Sequence, residues 1–263
     1  MSDEFFYHNH WREIEEERLA RYEEMFVYRP GHDPMLAPLD VGEGMVVVDH
    51  GSGPGFMAME FARRVGIHGK VYGLDINTQF LARASERAAD EGLTNIEFLP
   101  IKDEKIPLPD HTANRLFCKN VLEYVPDAAA TLAEQHRVLK PGGRIELVDS
   151  DWGFVVVEPW GKARTDAFFE AARPAFNELY IGRKLPALLV RGGFSDVEVK
   201  LMATPDMVGG GLNVLTNMAT YVKRFGAMEP AAVDAMMAEL KAAIDTSEYL
   251  FVLPQFVVTA NRG

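Results

Sequence analysis

Residues 46–55 read Val-Val-Val-Asp-His-Gly-Ser-Gly-Pro-Gly, and they restrict the fold more than any other stretch of the chain. A run of valines has the composition of a strand buried on both faces, as in a parallel sheet. The run ends in Asp49, then Gly51-x-Gly53-x-Gly55, and opens into an amphipathic segment, Phe56 to Val65, that reads as a helix. Glycines in such a turn let the backbone pass close under a ligand where a Cβ would collide. The helix start offers unpaired N–H groups and a positive dipole end. Strand, acid, glycine turn and helix together build a nucleotide-sized cofactor site.

The details narrow the cofactor. A dinucleotide fingerprint is Gly-x-Gly-x-x-Gly, but the sixth position counted from Gly51 is Phe56, and the third glycine arrives one residue early, at Gly55. Asp49 stands where a pyrophosphate would meet a carboxylate, a poor place for an anion and a good one for an ammonium group. No Gly-Lys-Ser/Thr follows, so the P-loop pattern is absent. The next apolar run, Lys70 to Asp75, also ends in an acid, and a carboxylate at a strand tip can accept from both hydroxyls of a ribose. Asp-x-Gly-x-Gly-x-Gly followed by a strand ending in Asp resembles the class I S-adenosylmethionine-dependent methyltransferases.

Four further segments extend the resemblance in the family's order: Ile106-Pro-Leu-Pro-Asp110, Val121-Leu-Glu-Tyr-Val-Pro-Asp127, Arg137 to Val148, and Ile181 to Leu189 with Gly193 to Val197. The last is similar to the small-molecule branch typified by ubiquinone and menaquinone biosynthesis enzymes. The resemblance covers about residues 40–202 and 248–260. It implies an α/β fold, a Rossmann-like seven-stranded, mostly parallel sheet with helices on both faces, the last strand antiparallel, and a helical cap. The alternation of strands near 45–50, 70–75, 95–99, 114–119 and 143–149 with helices near 55–66, 78–91 and 127–139 agrees. A first helix is expected over 10–28, and further helical stretches over 160–180 and 212–244, the latter in two parts around Pro230. The expected organisation is one domain, 1–263: an N-terminal lid at 1–35, a core at 40–202 and 248–260, and cap inserts at 156–181 and 205–247.

Composition sets limits. The net charge of -12, from 27 basic and 39 acidic residues, disfavours a phosphate backbone as partner. One cysteine, Cys118, excludes an intrachain disulfide and a multi-cysteine metal site, and no metal is expected. Met1-Ser-Asp-Glu-Phe-Phe lacks the basic and apolar regions of a signal peptide, and no apolar stretch reaches the ~18 residues of a membrane span. A cytoplasmic residence and a small-molecule substrate are expected.

The resemblance implies roles residue by residue. Gly51, Ser52, Gly53 and Gly55 form the cofactor turn, Asp49 reaches the amino group directly or through water, Asp75 holds the ribose hydroxyls, and Ile76 packs against the adenine edge. The family often places an Asp four residues before the apolar position of the Leu-Pro element. Lys102 stands there in this chain and Asp103 one later, so either Asp103 or backbone groups at 102–103 meet the base. Asn120 contacts the methionine part or caps the following turn. His50 occupies a position that usually carries a small or aliphatic side chain, and is read as a core histidine before a catalyst.

Methyl transfer from a sulfonium needs geometry above all, and a general base only where the acceptor must lose a proton. Candidate bases are His8, His10, Tyr124, Asp149 and Asp151; Trp152 and Tyr124 are the expected substrate walls. The reading is a transferase acting on a small, partly apolar molecule. The rivals are a cofactor-binding regulatory or partner subunit without transfer, a nucleic-acid methyltransferase, disfavoured because Asn120-Val-Leu-Glu replaces its Asn/Asp-Pro-Pro-Tyr/Phe element, and a nicotinamide oxidoreductase.

Overall fold

The structure, a computed structural model, describes residues 5–263. Residues 1–4, the start of the stretch examined for targeting and of the expected lid, lie outside the described residues. The valine run forms β1 (Val46–His50), and the later apolar runs form β2 (Lys70–Asp75), β3 (Ile96–Pro100), β4 (Ala113–Lys119) and β5 (Leu139–Ser150). Two later strands, β7 (Phe194–Met202) and β9 (Gln255–Arg262), complete a seven-stranded sheet of order β3-β2-β1-β4-β5-β9-β7. β9 lies antiparallel between β5 and β7, and the neighbouring pairs from β3 through β5 are parallel. Strand order reverses between β1 and β4, the switch point outside which open α/β sheets bind ligands.

Alternate residues of each central strand feed opposite layers, as the period of two requires. Val47, Val71 and Phe117 pack on one face with Phe61, Ala62 and Val65 of α4 (Phe56–Val65). Val48, Leu74, Leu116 and Cys118 pack on the other with Leu132 of α6 (Ala128–Val138) and Leu185 and Leu189 of α8 (Ile181–Arg191). Side-chain caps set the helix starts: Asn77 accepts from Gln79 and Phe80 at the head of α5 (Thr78–Asp90), and Asp127 accepts from Ala129 and Ala130 at the head of α6. No side chain caps α4, whose first N–H groups border the glycine turn.

The N-terminal region departs from the expected helix over 10–28. It forms α1 (Phe6–Asn9), an irregular segment, and α2 (Glu16–Phe26), followed by α3 (Asp33–Leu36). The break has a cause: the Trp11 carbonyl accepts from Asn77 Nδ2 at 2.8 Å and the Ile14 amide donates to Gln79 Oε1 at 3.2 Å, so these backbone groups bind the head of α5 instead of a helical turn. The stretch expected to be helical over 160–180 is α7 (Gly161–Ala171) and a short turn around Pro174; the amides of Asn177 and Glu178 then donate to the Glu123 carbonyl. The 212–244 stretch is α9 (Leu212–Phe225) and α10 (Pro230–Asp245), parted at Gly226. A small antiparallel sheet, β6 (Val156–Glu158) with β8 (Leu250–Val252), ties the cap together. Around it Trp160, Phe168, Phe169, Leu215, Val222 and Leu240 form an apolar cluster separate from the two sheet layers.

Candidate active site

A cavity of about 220 Å³ opens at the carboxyl ends of β1, β2 and β4 and runs under α2 and α9. Its floor is the glycine turn. The Gly51 and Ser52 amides both donate to the Leu74 carbonyl, at 2.7 and 2.9 Å, and fold the turn against β2. Gly51 has φ of +79°, and a Cβ there would stand 2.1 Å from Val121 Cγ2. Gly53, at φ +50°, has nothing within 4 Å of its Cβ position: packing does not fill that side, and the cavity does.

Asp49 and Asp75 stand at the strand tips of this end. The Gly53 and Asn77 amides donate to Asp75 Oδ2 and Oδ1, each at 2.8 Å, which fixes the carboxylate and leaves further lone pairs on both oxygens. Burial holds Asp75 above the usual carboxylate range, opposed by the backbone donors of Asn77, Gly53 and Ile76. Asp49 is buried with Oδ2 unpartnered. Burial pushes it up to about 7, the Asp75 charge adds to the rise, and the Ala58 amide and Lys119 oppose it. Lys119, at the end of β4, lines the same wall; burial lowers its pKa against the attraction of Asp149, Glu123 and Asp49. Ser52 Oγ and Asn120 Oδ1 are buried without partners nearby.

The other end of the cavity is aromatic. Trp11 and Tyr22 come from the N-terminal region, Tyr124 from the segment after β4, Trp152 from the segment after β5, and Tyr221 from α9. The Trp152 indole donates to Glu123 Oε2 at 2.7 Å. Burial pushes Glu123 up to about 7 against the Trp152 and Tyr124 hydrogen bonds and Lys119. α2 closes the roof through Arg18 on the Tyr221 hydroxyl at 3.3 Å and Arg21 on Asn217 Oδ1 at 3.0 Å. On its other side, Glu23 pairs with Arg83 and Arg87 of α5.

Most residues singled out in the sequence meet here. Asp49, His50, Gly51, Ser52, Gly53, Asp75, Ile76, Asn120, Tyr124, Trp152 and His8 line the cavity. Gly55 does not; at φ +84° it begins α4, against Ala84 and Phe98. Lys102 and Asp103 also fall outside the lining. Asp103 turns the chain at φ +51°, so that Ile101 before the turn and Glu104 after it face inward. Glu104 lies 3.0 Å from His8 Nε2 and so joins the N-terminal region to the loop after β3. Asp151 is held in a two-point ion pair with Arg183, outside the lining. Asp149 is buried, accepting from the Leu122 amide at 3.3 Å. His10 stacks on Phe6, and burial takes it down to about 3. His50 accepts from the Gln135 amide nitrogen at 3.0 Å, and burial takes it down to about 4. Lys119 and Glu123 escaped the sequence reading. The first hides at the end of an apolar strand, and the second inside a segment whose other members were read as family pattern.

Comparisons with known proteins agree with this geometry. A family described as "Methyltransferase domain" matches residues 42–177, about half of the chain. The ubiquinone/menaquinone biosynthesis C-methyltransferase UbiE of Escherichia coli (strain K12 / DH10B) is 34% identical over 140 residues, 53% of this chain and 55% of that protein. The corresponding protein of Enterobacter sp. (strain 638) is 32% identical over 140 residues. The chain thus spans about half the length of these relatives. Among solved structures, a phosphoethanolamine N-methyltransferase 2 of Haemonchus contortus in complex with S-adenosyl-L-methionine aligns with TM-score 0.66 and 15% identity, over 97% of this chain and 60% of that one. A SAM-dependent methyltransferase from Aquifex aeolicus aligns with TM-score 0.55 and 19% identity, over 93% of this chain and 99% of that one. Those two share the fold. Motifs, strand order and family match converge: this chain belongs to the methyltransferase domain family, in its class I, S-adenosylmethionine-dependent branch.

Proposed function

We propose that the chain transfers a methyl group from S-adenosylmethionine to a small, partly apolar molecule by direct displacement. One observation carries the reading: a single cavity joins a polar end, with unpartnered buried oxygens on Asp49, Ser52 and Asn120, to an aromatic end under the lid and cap. The polar end fits the cofactor. Asp49 Oδ2 would take its ammonium group and Lys119 its carboxylate. Asp75 would accept the ribose hydroxyls on the lone pairs that Gly53 and Asn77 leave open. Ile76 would pack on the adenine, with Ile101 and Glu104 in the place expected for Lys102 and Asp103.

The cofactor supplies a methyl carbon already activated by a positively charged leaving sulfur. The chain has only to orient and enclose. Trp11, Tyr124, Trp152 and Tyr221 would hold the acceptor, and α2 would exclude water. Alignment of donor and acceptor is worth roughly 7–11 kcal/mol of a barrier. The names of the UbiE relatives, which concern ubiquinone and menaquinone biosynthesis, support a small acceptor. So does a net charge of -12, which disfavours nucleic acid.

Mass spectrometry of the purified protein with methyl-labelled cofactor and a panel of quinols, phenols and amines tests the reading. Label is expected on at least one class. Tight cofactor binding with transfer to none would favour a binding subunit instead.

A further inference from the structure

Glu123 stands apart from the other acids of the cavity wall. Asp49 and Asp75 occupy the cofactor end and Glu104 pairs with His8, whereas Glu123 sits between the aromatic residues, 1% exposed. Its position is fixed from two sides. The Trp152 indole engages Oε2 at 2.7 Å, and the Glu123 carbonyl accepts from the Asn177 and Glu178 amides at 2.9 and 3.2 Å. The adjacent Tyr124 is the carboxylate's second hydrogen-bonding side chain, and a carboxylate with two donors keeps further lone pairs to accept a proton.

The charged and titratable groups around it are Lys119 of β4, Asp149 of β5, the adjacent Tyr124, and Tyr221 of α9. Burial and then the Glu123 charge drive Asp149 well above the carboxylate range. Burial thus pushes both carboxyls towards their protonated forms, Glu123 against the pull of the Trp152 and Tyr124 hydrogen bonds and of Lys119. Burial that raises Glu123 to about 7 also places it where a general base works best.

We propose that Glu123 is the general base of this site, taking the proton of an acceptor whose nucleophilic group arrives protonated, either a phenol-type hydroxyl or an ammonium. The inference rests on the methyl-transfer reading above. In the step, the acceptor's proton passes to a Glu123 oxygen. The electron pair left on the acceptor, at its heteroatom or a conjugated ring carbon, forms the bond to the methyl carbon. The carbon–sulfur bond breaks and sulfur keeps the pair. For a hydroxyl acceptor, one positive charge at sulfur and one negative charge at Glu123 vanish together; for an ammonium acceptor, the positive charge ends on the methylated nitrogen.

Glu123→Gln tests this, because the amide keeps an oxygen for the indole but cannot take a proton. With S-adenosylhomocysteine bound, infrared difference spectra of wild type should show a protonated-carboxyl band that fades as pH rises through about 7 and that Glu123→Gln lacks. Calorimetry should give the two proteins similar affinity for S-adenosylhomocysteine. With the acceptor panel, Glu123→Gln should lower kcat/KM by about 10²–10⁴-fold for phenols or amines protonated at the assay pH, and by less than about tenfold for halogenated phenols already ionised. Whether phenols or amines are methylated identifies the source of the proton. An equal loss on protonated and ionised acceptors, no loss, or no difference in the infrared band overturns the proposal alone. Wild-type protein that binds cofactor and methylates nothing overturns the methyl-transfer reading and the base with it.

Discussion

Two glycines two positions apart show what the turn is shaped around. At Gly51 a Cβ would collide with Val121, whereas at Gly53 it would meet nothing within 4 Å. Both adopt left-handed backbone, which costs an L-residue roughly 1–2 kcal/mol. Gly51→Ala adds overpacking of about 1–3 kcal/mol. Thermal unfolding should therefore fall further for Gly51→Ala than for Gly53→Ala, while calorimetry with S-adenosylhomocysteine should show Gly53→Ala losing affinity out of proportion to its stability. Equal melting temperatures and an unchanged affinity for Gly53→Ala would mean that no ligand approaches this backbone. The residues that announced the site in the sequence are those whose chemistry is local. Asp49, Asp75 and the glycines are set by strand, turn and helix within thirty positions. Glu123 and Lys119 were not legible because their role depends on neighbours from distant segments, Trp152 and Asp149 above all.

At the scale of elements, periodicity located the strands and helices of the central sheet well. β2 falls on 70–75 as expected, and α4, α5 and α6 differ by a residue or two at their ends. Elements that depend on partners far along the chain were harder. The helix expected over 10–28 lost its first part because Asn77 and Gln79 of the α5 head claim the backbone of Trp11 and Ile14. β6 and β8 each have three residues and pair with each other across the cap, too short to register as an alternating pattern. The Lys102–Asp103 expectation came from counting positions back from Ile106-Pro107. The turn at Asp103 and Glu104, both with positive φ, shifts which side chains face inward. The roof and the aromatic wall thus come from tertiary pairings, while the glycine floor of the cavity comes from local sequence.

For the molecule as a whole, the site carries a cost in buried acid. Asp49 and Glu123 are raised to about 7 and Glu146, unpartnered in the middle of β5, to about 8, each chiefly by burial. These folded-state values lie above the ordinary carboxylate values of 3.8 to 4.5, so from there up to about 7 to 8 the folded protein holds protons that the unfolded chain has released. Stability should then decrease as pH rises through about 7 to 8 and recover on return. His10 and His50, lowered by burial, oppose this trend only below the unfolded imidazole value of 6.5. Scanning calorimetry of the cofactor-free protein from pH 6.5 to about 8 should show a falling melting temperature, with a shallower fall in Glu146→Gln; a rising one would refute the assignment. The central claim is that the strand tips of β1 and β2 grip the charged thioether nucleoside at Asp49 and Asp75. A crystal structure with S-adenosylhomocysteine tests it most directly. The account predicts ribose hydroxyls on Asp75 and the amino group at Asp49, with the sulfur facing the aromatic end of the cavity. Density for the nucleoside anywhere else, or none at saturating concentration, would contradict it.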